Sequence, residues 1–140
     1  MAEIPKGKSR EEIKIREKII KDFYATWISE HQDKMVFNES IKDFIRIKYL
    51  SINETCERAA RTYDSTMAVF KLTDILSKSK VIATSPIKAN DKNQRPFSYV
   101  LIMRYENIRL IVGQQKSTGH FLQYCITVPS KWQKKTKVAW

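Results

Sequence analysis

Arg104 and Arg109 flank the dipeptide Glu106-Asn107 between two runs rich in β-branched and aromatic residues, 98–105 and 108–115. Such runs have the composition of strands, and two residues between them make a tight hairpin in which asparagine tolerates positive φ. That geometry pairs Tyr105 with Ile108 and Arg104 with Arg109 across the ladder. Like charges directly opposite one another cost stability, so the pair needs a counter-charge. A bound phosphate would supply it, as would Glu106 or a helix carboxylate. A second hairpin follows, with Ser117, Thr118 and Gly119 in its loop and glycine at the left-handed position. It pairs Arg109 with Thr127 and Gly113 with Gln123, so one face carries Arg104, Arg109 and Thr127, with Gln123 nearby and the small Gly113 leaving room for a ligand. A guanidinium pair offers planar, bidentate donors to a phosphate, and a threonine hydroxyl can orient it. The chemistry expected of this row is phosphodiester binding.

The elements that hold the row follow from periodicity. Ser9 and Glu12 form a capping box, and Ile13, Ile20, Phe23, Tyr24 and Trp27 then recur on one face of a helix running to about His31. Residues 35–52 are ambiguous: Phe44, Ile47 and Leu50 have helical spacing, whereas Ile45, Ile47 and Tyr49 alternate, and the reading leans to helix. Asn53 is the expected N-cap of a helix through Ala59, Ala60 and Tyr63, and a break at Asp64 and Ser65 leads into another over 66–76. After Ser79 the period changes to that of strands, at 81–85, 98–105, 108–115 and 121–128, with loop chemistry at 90–95. The expected fold is α+β, N-terminal helices followed by a four-stranded antiparallel sheet. It forms a single domain over 1–140, mainly helical over 1–79, sheet over 80–128, with a basic tail over 129–140. That tail interleaves lysines with Trp132 and Trp140 and reads as a solvated end rather than a grip on single strands. Tyr124 falls on the face opposite Arg109, among Leu122, Ile126 and Val128, and is expected in the core.

Twenty-six basic residues against 15 acidic ones give a net charge of +11. Such an excess attracts polyanions through counterion release, and nucleic acid is the expected partner, RNA favoured. No apolar run approaches the roughly 20 residues that span a bilayer, so no membrane partner is expected. Residues 1–10 are polar and lysine-bearing, without the apolar core of a secretory signal, and the expected location is cytoplasmic. Cys56 and Cys125 have no metal-ligand spacing and read as reduced apolar residues; no cofactor and no metal are expected.

Helices followed by an antiparallel sheet, together with Ile108-Arg109-Leu110-Ile111-Val112-Gly113, Lys116-Ser117-Thr118-Gly119 and Gln123-Tyr124-Cys125-Ile126-Thr127, resemble the ribonuclease superfamily of barnase, the colicin RNases and the RelE toxins. The branch found in phages and mobile elements is the most similar. The resemblance spans about residues 51–128, including Ser51-Ile52-Asn53-Glu54-Thr55 and Ser65-Thr66. It implies metal-independent RNA cleavage, in which the ribose 2′-hydroxyl attacks the adjacent phosphate while cations carry the charge of the phosphorane. Members often use a histidine. This chain has none between His31 and His120 and offers Arg58 and Arg61 from the helices instead, in the manner of RelE-type toxins that manage with basic residues and tyrosine. The expected catalytic set is Arg104, Arg109, Thr127 and Arg58, with Gln123, Arg61, Lys116, Ser117, Thr118 and His120 as substrate contacts. His120 sits at a hairpin end, within reach of solvent or substrate. An antitoxin or immunity protein is a further partner of such toxins. Two other readings of the chain are a non-catalytic helix-turn-helix DNA-binding domain, built on the helices around 63–65, and an inactive nuclease fold serving as an interaction module.

Overall fold

A computed structural model describes residues 3–132 and contains four α-helices and one six-stranded mixed sheet. The first helix, α1 (Arg10–Glu30), starts where expected: Ser9 Oγ accepts from the Glu12 amide at 3.2 Å and Glu12 accepts from the Ser9 amide at 3.3 Å. Arg16, Ile20, Tyr24 and Trp27 form its buried stripe. Three further helices, α2 (Tyr49–Ala59), α3 (Tyr63–Val69) and α4 (Leu72–Lys78), complete the helical layer.

The helix favoured over 35–52 is instead a hairpin of β1 (Met35–Asn38) and β2 (Asp43–Arg46), followed directly by α2. Ile45 and Ile47 are buried at a spacing of two, which is the strand period. Asn38 closes the turn: its Oδ1 accepts from the Ser40 and Ile41 amides, and its Nδ2 donates to the carbonyls of Leu76 and Ser79. Beyond α4 come β3 (Lys80–Ser85), β4 (Phe97–Tyr105), β5 (Ile108–Gln115) and β6 (Phe121–Thr127), and a 3-10 turn at Ser130–Trp132. The sheet order is β1-β2-β6-β5-β4-β3. The four expected strands are all present and mutually antiparallel, but β2 adds to β6 in parallel, so the sheet has six strands and is mixed. It curls until the β1–β2 turn meets β3, where the Val81 amide donates to Ser40 Oγ at 3.1 Å.

The helices also break differently from the sequence reading. Asn53 lies inside α2, whose first turn is closed by Ser51 Oγ accepting from the Lys48 amide. The next break falls at residues 60–62, with Thr62 Oγ1 capping the Ser65 amide. The expected single helix over 66–76 is two seven-residue pieces, and Leu72, Ile75 and Leu76 of α4 are buried. The segment expected as one recognition helix is thus interrupted at Phe70 and Lys71.

Apolar residues pack on both faces of the sheet. On the helix side Ile20, Tyr24, Leu76, Met103, Leu110 and Ile126 belong to the main core. On the other side Phe97, Val100, Leu122, Tyr124 and Cys125 make a smaller cluster, with Ile87 of the β3–β4 loop against it. The room expected at Gly113 is taken: a Cβ there would clash with the Phe97 ring. Gly113→Ala should therefore lower stability by about 1–3 kcal/mol through overpacking, a shift in thermal midpoint of several degrees by circular dichroism. An unchanged midpoint would show that the ring does not rest on the glycine.

Candidate functional site on the sheet face opposite the helices

Arg104 stands opposite Arg109, and Arg109 opposite Thr127, as hairpin geometry requires. The turn between β4 and β5 is made with Glu106, rather than Asn107, at positive φ (56°). Arg109 Nη2 donates to Thr127 Oγ1 at 3.3 Å, while its Nε is buried and has no hydrogen-bond partner. Neither guanidinium has a carboxylate within ion-pair distance among the described residues; Glu106 pairs with Lys71 instead, at 3.3 Å. Arg104 Nε donates to the Glu106 carbonyl at 2.7 Å, and its guanidinium lies over the Trp132 ring, 4.6 Å from the centroid. Two facing cations and an orphaned donor are costly to keep without a counter-ion.

A bulge changes what stands beside this row. Ile111 pairs with Cys125 but Val112 pairs with Gln123, which leaves Tyr124 as the extra residue of β6. Alternation breaks there, so Leu122, Tyr124 and Cys125 all belong to the Arg109 side. Tyr124, expected in the main core, thus lies on the candidate face, its ring edge-on to Phe97 and under the guanidinium of Arg58. Gln123 is correspondingly displaced from the row. Its amide is buried on the helix side, donating to Thr55 Oγ1 at 2.6 Å and accepting from Tyr24 Oη at 3.0 Å, where it joins α1, α2 and β6.

Arg58 approaches from α2, as expected, and brings residues that the sequence did not single out. Its partners are Glu54 at 3.1 Å and, more distantly, Asp91 at 3.8 Å. The Tyr124 hydroxyl accepts from Arg58 Nη2 at 3.4 Å and donates to Asp91 Oδ2 at 3.0 Å. Asn93 Nδ2 donates to Glu54 Oε2 at 2.6 Å. Two residues of the β3–β4 loop are thereby tied to α2 and β6. Burial, then the hydrogen bond to Asp91, pushes the Tyr124 hydroxyl well above its ordinary pKa, so it stays protonated at neutral pH. The Glu54-x-x-x-Arg58 spacing, one helical turn, was the available signal for the helix pair.

The remaining expected contacts do not join the row. Lys116, Ser117, Thr118 and His120 are exposed at the β5–β6 turn, and Gln115 at the far end of β5 lies about 20 Å along the strand from Arg109. Thr118 Oγ1 is used within the turn, accepting from the His120 amide and donating to Gln115. Arg61 is exposed just past α2; its carbonyl accepts from buried Arg16. His31 is on the helix side, stacked on Trp27 at 4.0 Å with Nδ1 against the Trp27 carbonyl. Of the tail, Trp132 is described, while Lys134, Lys135, Lys137 and Trp140 lie outside the described residues.

Cys125 borders the same face, and burial raises its thiol pKa to about 11, as it does that of Cys56. An unfolded thiol titrates near about 8.5, so the folded state holds these protons longer. This contribution to stability is full below about pH 8.5 and is lost as pH rises towards 11. Urea midpoints should accordingly decline across that window, and a Cys56→Ala/Cys125→Ala double variant should show a shallower decline.

Comparison with family models, with curated proteins and with solved structures returned no match to this chain.

Proposed function

We propose that this protein binds single-stranded RNA across the sheet face opposite the helices and cleaves it by 2′-hydroxyl attack on the adjacent phosphate. The observation that carries the reading is the Arg104–Arg109–Thr127 row, in which, among the described residues, the buried Arg109 Nε lacks a partner and neither arginine is paired to a carboxylate. A net charge of +11 supports a polyanionic ligand. In this reading Arg109 and Arg104 hold the phosphate and neutralise the phosphorane, while Thr127 orients one of its oxygens. Asp91 accepts the 2′-hydroxyl proton as the bond from O2′ to phosphorus forms. Tyr124 gives its proton to the departing O5′ as the P–O5′ bond breaks. The 3.0 Å bond between Tyr124 and Asp91 then returns the proton to the tyrosine, and Arg58 stabilises the transient tyrosinate. The products are a 2′,3′-cyclic phosphate and a 5′-hydroxyl. An antitoxin or immunity protein covering this face, and cytoplasmic residence, belong to the same proposal.

The test is incubation of the purified protein with mixed-sequence RNA and the matching DNA in excess EDTA. Cleavage of RNA alone, leaving cyclic phosphate ends, is the expected result, since DNA lacks the nucleophile. Equal cleavage of DNA would contradict the chemistry, and no cleavage of either strand would sink a general ribonuclease.

A further inference from the structure

Trp132 lies in neither apolar cluster of the fold, yet its indole is half-buried and has a fixed companion. The 3-10 turn that carries it is closed by the Trp132 amide donating to the Pro129 carbonyl at 2.9 Å. Arg104, exposed at the end of β4, lies over the ring with its Cζ 4.6 Å from the centroid. The same guanidinium is steadied by the Arg104 Nε bond to the Glu106 carbonyl at 2.7 Å and has no carboxylate partner among the described residues. An exposed guanidinium held over an indole has the electronic character on which nucleobases stack. It stands one cross-strand pair, about 5 Å, from Arg109, which is within the span of a single nucleotide.

We propose that Arg104 and Trp132 form a nucleobase platform, a stacking subsite that takes the base of the nucleotide whose phosphate is held by Arg109 and Thr127. The platform rests on the RNA reading above and adds a base-binding element to it. Stacking of this kind tolerates any base, because every base has a π face, so the subsite contributes affinity and register rather than sequence preference. Arg104 thus has two roles: its charge serves the phosphate and its plane serves the base.

The full chain can be tested with two fluorescein-labelled, non-cleavable 2′-O-methyl RNA hexamers, one with all its bases and one abasic throughout, by anisotropy at fixed salt. Trp132→Leu should weaken the base-bearing hexamer about ten-fold, the scale of one aromatic stack, and leave the abasic hexamer within about two-fold. Trp132→Phe should keep most of the difference. Arg109→Ala should weaken both hexamers alike. Equal affinity of the unaltered protein for both hexamers would overturn the platform, as would an equal loss for both on Trp132→Leu with Phe restoring neither. If Arg109→Ala changes neither affinity while Trp132→Leu still weakens only the base-bearing hexamer, the phosphate reading fails and the platform stands.

Discussion

Replacing Arg109 with alanine should reduce RNA cleavage by about a hundred-fold or more, the scale for removing one preorganised donor from a developing oxyanion. The same variant should fold at least as stably as the parent. Arg109 faces Arg104 across the ladder and leaves its buried Nε unsatisfied, so the native protein gains little by keeping it. Removing it relieves like-charge repulsion and an orphaned donor, at the cost of one 3.3 Å bond to Thr127. Loss of activity together with an unchanged or higher melting temperature is the signature of a residue retained for a ligand. Arg109→Lys should fall between, because a point charge replaces the planar fork. A melting temperature lowered by several degrees would indicate a structural arginine instead.

Arg16→Met should be the most destabilising single change, at about 3–5 kcal/mol. Arg16 is fully buried on α1, and its guanidinium donates to three carbonyls: Ala60 from Nε at 2.8 Å, Pro5 from Nη1 at 2.8 Å and Arg61 from Nη2 at 3.4 Å. The first and third of these sit at the end of α2, where carbonyls are left over and the helix dipole is negative. Methionine fills much of the volume but leaves three acceptors facing an apolar chain. The thermal midpoint should drop by about 10 °C or more. Arg16→Lys should recover part of the loss, since one ammonium cannot reach all three positions that the fork spans. Urea denaturation of the three proteins checks the order, and a methionine variant as stable as the parent would show the carbonyls to be satisfied by water.

The parts of this molecule legible in its sequence are those governed by one local rule. The capping box at Ser9 and Glu12, the long strands β4 to β6 and the two-residue turn between Tyr105 and Ile108 each follow from a few neighbouring residues. The register Arg104–Arg109–Thr127 is their arithmetic consequence. What escaped depends on contacts made far along the chain. Strands β1 and β2 have four residues each, too short for periodicity to decide, and exist because β6 offers an edge and α4 offers carbonyls to Asn38. The bulge at Tyr124 breaks strict alternation, which turned Tyr124 towards the candidate face and Gln123 away from it. Arg16 falls on an apolar stripe but has the type of a solvated residue, and only the end of α2 shows what it is for. Asp91 and Asn93 read as loop polarity, and their ties to Tyr124 and Glu54 appear once the loop folds over the sheet.

The placement of the RNA site can be read by backbone amide NMR shifts on titration with a 2′-O-methyl RNA oligomer, which presents phosphates and bases but no nucleophile. Perturbations centred on Arg104, Arg109, Tyr124, Cys125 and Thr127, weakening steeply with added salt, are expected. Perturbations confined to α3 and α4, or to the exposed turn at Lys116, Ser117 and Thr118, would contradict a site on the sheet face.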